Sequence, residues 1–116
     1  MYENSNKQNL EYYPFHLTGC SFPDFVKAFQ NMSDCEVKEI FAFNVDFPDK
    51  MEDITSDRAK LELVAADPDA SINVNGVYNG KPVAFLFTCG ILMATNYGAD
   101  HSFVKSMVAD VREHLA

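Results

Sequence analysis

The stretch Ser71-Ile72-Asn73-Val74-Asn75-Gly76-Val77-Tyr78-Asn79-Gly80-Lys81-Pro82-Val83-Ala84-Phe85-Leu86-Phe87-Thr88-Cys89 decides the fold. Two β-prone runs flank Asn79-Gly80. That dipeptide tolerates positive φ at both central positions of a type I′ turn, so the runs read as a tight hairpin. A two-residue loop pairs Tyr78 with Lys81, which sets Gly76 opposite Val83, Val74 opposite Phe85 and Ile72 opposite Phe87. One face is therefore apolar. The other face sets Asn73 against Leu86 and Asn75 against Ala84, and is only half apolar. An antiparallel sheet with one face covered is the expected frame.

Upstream, Tyr13, Phe15 and Leu17 alternate around Pro14, a short strand suited to a sheet edge. Ser21-Phe22-Pro23-Asp24 opens a helix, with Ser21 as cap and Asp24 three residues on. Phe25, Val26, Phe29 and Met32 line one side of it, and Ser33-Asp34 end it. Phe41, Phe43, Val45 and Phe47 alternate with Ala42, Asn44 and Asp46, which predicts a strand with the aromatic residues buried. Asp49 to Asp57 reads as an acidic loop, and Lys60 to Ala66 as a strand with Leu61, Leu63 and Ala65 on one side. Asp67-Pro68-Asp69-Ala70 is a type I turn. Residues 90–95 are compatible with either a strand or a helical turn. After the loop Asn96-Tyr97-Gly98, Asp100 can cap a last helix, with Phe103, Val104, Met107, Val108, Val111 and Leu115 in one stripe.

The expected architecture is α+β. It is a two-layer sandwich of a mostly antiparallel sheet with an N-terminal and a C-terminal helix, in the order β-α-β-β-β-β-α. Residues 1–9 are polar and expected to fray, leaving residues 10–116 as one domain. At 116 residues, a chain buries enough surface to fold without a metal or disulfide staple.

The net charge is −8. Such a surface is repelled by phosphate backbones and anionic membranes, so neither nucleic acid nor membrane is an expected partner; a basic protein is. Solubility alone also accounts for the charge. Cys20, Cys35 and Cys89 are too few, and odd in number, for a disulfide framework. Residues 1–6 show no basic or apolar leader pattern, and a reducing cytoplasmic location is expected.

Candidate chemistry is sparse. Cys20 precedes a helix start, where the dipole favours a thiolate, and His16 lies four residues earlier. Together they form a candidate nucleophile–base pair, and Cys20 is the expected most reactive thiol; the plain alternative is a small residue beside a helix cap. Cys89 ends an apolar strand and is expected in the core. His16, His101 and His114 with the three cysteines lack metal-ligand spacing, so no metal or other cofactor is expected. There is no Gly-rich phosphate loop and no G-x-S-x-G elbow.

The densest charge feature is Asp46, Asp49, Glu52, Asp53 and Asp57, which lacks the D-x-D-x-D-G calcium pattern. It reads as a docking patch for a basic partner, with Tyr97 as a candidate aromatic anchor, or as a plain solvated face. Two functions follow. One is a non-catalytic binding module, such as an acidic inhibitor or immunity-type protein. The other is a small-ligand protein or enzyme with an aromatic-lined pocket and the His16/Cys20 pair.

Overall fold

The computed structural model describes residues 13–17, 20–44, 46–96 and 101–115. The expected fraying of residues 1–9, the cap Asp100 and the anchor Tyr97 lie outside the described residues. Along the chain run β1 (Tyr13–Phe15), α1 (Phe22–Asn31), β2 (Cys35–Asn44), β3 (Phe47–Asp53), α2 (Arg58–Ala65), β4 (Ala70–Tyr78), β5 (Lys81–Thr88), β6 (Ile91–Asn96) and α3 (His101–Glu113). The strands form one antiparallel sheet in the order β1-β6-β5-β4-β2-β3. The fold is α+β, as the patterning requires; the order is β-α-β-β-α-β-β-β-α, so helix α2 and a sixth strand are added to the expected elements. No described helix is long and apolar enough to cross a membrane.

The central hairpin takes the register read from the sequence, from Tyr78↔Lys81 to Ile72↔Phe87. Asn79 and Gly80 both have positive φ, 53° and 78°. This register carries Ile72, Val74, Val83 and Phe85 onto the core face, where all four are buried. In α1, Ser21 accepts a hydrogen bond from the Asp24 amide at 3.3 Å, fixing the helix start. The helix then lays Phe25 and Phe29 edge-on against Phe85, each at 5.2 Å, and stacks Phe22 on Phe87 at 4.7 Å. In α3, Val104, Met107, Val108 and Val111 join the same core. Tyr78 ties α3 to the hairpin: its ring meets Phe103 at 5.4 Å and its hydroxyl donates to the Asp110 carboxylate.

Four local expectations are corrected. Lys60 to Ala66, expected as a strand, is instead helix α2 as far as Ala65, with Ala66 as its C-cap. Asp57 caps it, accepting from the Lys60 amide at 3.0 Å, and Arg58 pairs with Glu62 at 3.4 Å one turn on. The face that matters is Leu61, Val64 and Ala65 at helical spacing, while Leu63 is 71% exposed. Second, Phe41 and Phe43 are only half-buried; Ile40 and Ala42 face the helices instead. The ladder steps from Val37↔Gly76 to Glu39↔Asn75, so Lys38 is an extra residue. Such a bulge reverses which parity points inward. Third, the segment expected as an acidic loop is β3 as far as Asp53. Fourth, Cys89 is exposed rather than in the core. With Gly90 it forms a tight β5–β6 turn, both residues at positive φ (53° and 77°), and residues 91–96 are thereby a strand.

Candidate functional site

The sheet order places β3 at one edge. Its pairing to β2 is broken: Asn44 faces Phe47, whereas Ala42 faces Glu52 and Phe41 faces Asp53. Pro48, Asp49, Lys50 and Met51 therefore stand opposite Phe43 alone, and the chain bows outward there. The sequence cause is local. Pro48 has no N–H to donate to a ladder, and Asp49 and Lys50 gain hydration by leaving the sheet. Asn44 accepts the Asp46 amide at 2.8 Å and shapes the turn into the strand.

Two apolar side chains of this edge strand, one at the start of the bowed segment and one within it, are open to solvent. Phe47 is 56% exposed and Met51 55%. Lys50 Nζ lies 5.6 Å from the Phe47 ring centroid.

The five carboxylates of the acidic run divide by task. Asp53 accepts from the Thr55 amide at 3.0 Å and the Thr55 hydroxyl at 2.5 Å, and that hydroxyl accepts from the Ile40 amide at 2.9 Å. These bonds hold the Asp53 carboxyl below its usual pKa. Asp57 is the α2 cap, and Glu52 is paired with Lys60 at 3.5 Å. The carboxylates of Asp46 and Asp49 make no ion pair or hydrogen bond among the described residues, and both residues are exposed. So Asp53 and Asp57 bond within the fold, Glu52 is paired with Lys60, and Asp46 and Asp49 are unengaged among the described residues. The sequence reading found the acidic run but missed Phe47 and Met51. Their signal was two large apolar residues among charges, without the alternation that buries one face.

His16 and Cys20 lie near one another in the chain, but no hydrogen bond joins them among the described residues. His16 is exposed, and its carbonyl accepts from the Arg112 guanidinium. Burial raises the Cys20 thiol pKa; nearby Arg112 opposes this and Asp24 adds to it. Desolvation thus outweighs the pull of the Arg112 guanidinium. Cys35 is raised further, to about 12, by burial and then by Asp34.

Cys20 does lie on the wall of a hollow of about 450 Å³ between the start of α1, the end of α2 and the β5–β6 turn. Among the described residues, no group of three or more His, Cys, Asp or Glu side chains is arranged to hold a metal ion. No protein-family model, no curated protein and no solved structure matches this chain.

Proposed function

We propose that this chain is a non-catalytic protein-binding module, of the inhibitor or immunity type, and that it docks a basic protein through the bowed edge strand β3. The observation that carries the reading is the exposure of Phe47 and Met51 beside the carboxylates of Asp46 and Asp49, which are unengaged among the described residues. Binding energy at protein interfaces concentrates in a few aromatic and Met-like anchors, while surrounding charge governs encounter rate and partner choice. The bowed edge joins both elements in one short segment. The net charge of −8 adds long-range attraction for a basic partner. Three free thiols fit a reducing, cytoplasmic setting.

The test pairs capture with kinetics. Immobilised wild-type protein is used to capture partners from the source cell, in parallel with Phe47→Ser/Met51→Ser. That variant changes exposed side chains only and should melt within about 0.5 kcal/mol of wild type. The expected result is a basic protein held by wild type and lost by the variant. Stopped-flow association with that protein should then slow as salt rises, since screening over ~10 Å at 0.1 M weakens steering. Asp46→Asn/Asp49→Asn should lower the rate and flatten the salt dependence. Equal capture by both proteins, or a rate indifferent to salt, would overturn the proposal.

A further inference from the structure

We propose that the groove between the start of α1, the end of α2 and the β5–β6 turn takes a basic amphipathic segment of a partner polypeptide. The inference rests on the protein-binding reading and adds a second surface, separate from β3.

The groove consists of two adjoining hollows, about 450 and 470 Å³, that share Ala65, Ala66, Phe87 and Gly90. It exists because small residues line it: an Ala or Gly at each shared position but one leaves space that larger side chains would fill. Gly90 sits in the left-handed region with open space around it. Phe87, shared by both hollows and backed by buried Phe22 stacked on it at 4.7 Å, supplies an apolar floor, and Pro68 lies at the second hollow's end.

The charge around this trough is one-sided. Asp24 and Glu62 line the first hollow and Asp67 the second, and no Lys or Arg lines either among the described residues. Glu62 has only an exposed ion pair with Arg58, and Asp67 accepts the Asp69 amide at 2.9 Å. Arg112, bound to the His16 carbonyl, keeps its positive charge near Cys20, so the negative balance of the trough rests on Asp24, Glu62 and Asp67 together.

An apolar trough with acidic walls matches a segment that presents apolar residues on one side and Lys or Arg on its flanks. The same carboxylates disfavour nucleic acid and anionic ligands. An uncharged small ligand fits less well, because the trough is open to solvent, and drug-sized sites enclose most of their ligand.

The test uses a phage-displayed library of random dodecapeptides, selected on the wild-type protein and counter-selected on Ala66→Trp. Ala66 is an exposed C-cap, so the indole fills the trough from its wall. Selected peptides should combine Lys or Arg with apolar residues. Their affinity should fall about tenfold on Ala66→Trp, and also on Glu62→Lys, an exposed charge reversal that does not depend on fit. Urea melts confirm that both variants fold. Phe47→Ser/Met51→Ser should bind the peptides as wild type does, which separates this groove from the β3 edge. Failure to enrich any peptide, enrichment of acidic or uncharged ones, or equal binding to Ala66→Trp would overturn the inference. If Ala66→Trp leaves binding intact and the β3 variant abolishes it, the groove proposal falls and the edge-strand proposal stands.

Discussion

Replacing Tyr78 by Phe removes one oxygen atom and keeps the ring. Tyr78 closes β4 and is 4% exposed; its hydroxyl donates to Asp110 on α3 and its ring packs on Phe103. A hydrogen bond to an ionised group contributes roughly 1.5–3 kcal/mol net. The ring contacts survive in Phe, so Tyr78→Phe should cost about 2 kcal/mol, or roughly 8 °C in Tm for a chain of this size. Asp110→Asn keeps an acceptor but loses the charge, and should cost less.

The pH dependence has a definite sign. Burial first, and then the Asp110 carboxylate, push the Tyr78 phenol above its ordinary value of 10.0. The unfolded chain therefore releases this proton before the folded one does. The stabilisation is complete below pH 10 and fades as pH rises beyond it. Urea unfolding of both proteins at neutral pH and in steps above pH 10 should show a gap that narrows at the alkaline end. Cys35 titrates in the same direction, from 9.0 towards about 12, but is present in both proteins. A gap below about 0.5 kcal/mol at neutral pH, or one that does not narrow, would refute the proposed tie between hairpin and helix.

Four further outcomes are expected. A Cβ at Gly76 would lie 2.5 Å from the Glu36 carbonyl oxygen and 3.2 Å from Phe29 Cε2, so Gly76→Ala should cost at least about 2 kcal/mol by overpacking. At Gly80 there is open space and only a φ of +78° to satisfy: urea melts should show Gly80→Val destabilised by about 1–3 kcal/mol and Gly80→Asn nearly neutral. Val108 is 1% exposed, and Val108→Asp should lower stability by at least about 3 kcal/mol; an unchanged urea midpoint would show α3 to be peripheral. Iodoacetamide at neutral pH with peptide mapping should label exposed Cys89 first, because burial raises the pKa of both Cys20 and Cys35.

Part of the candidate site was legible and part was not. The acidic run could be counted directly, but its division into Asp53 and Asp57, which hold the fold, and Asp46 and Asp49, which do not, depends on where Thr55 and the α2 amides lie. The groove could not be foreseen, since its walls come from three separated parts of the chain.

Where a structure is stabilised by neighbours in sequence, the residues alone determined it. The Asn79-Gly80 turn has its conformational preference within two residues, and it transmits the register to every pair of the hairpin. The Ser21 cap and the α3 stripe are local in the same sense. Tertiary structure decided the rest. Leu61, Leu63 and Ala65 alternate like a strand; the Asp57 cap is a local helix signal, but it is the burial of Leu61 against the core, with Leu63 left exposed, that makes the segment a helix. Phe41 and Phe43 have the stronger β pattern, yet the smaller Ile40 and Ala42 face the helices, because the bulge at Lys38 shifts the pairing with β4. Which parity of a strand points inward depends on its partner's register, and that is a long-range choice made when the sheet closes against α1 and α3.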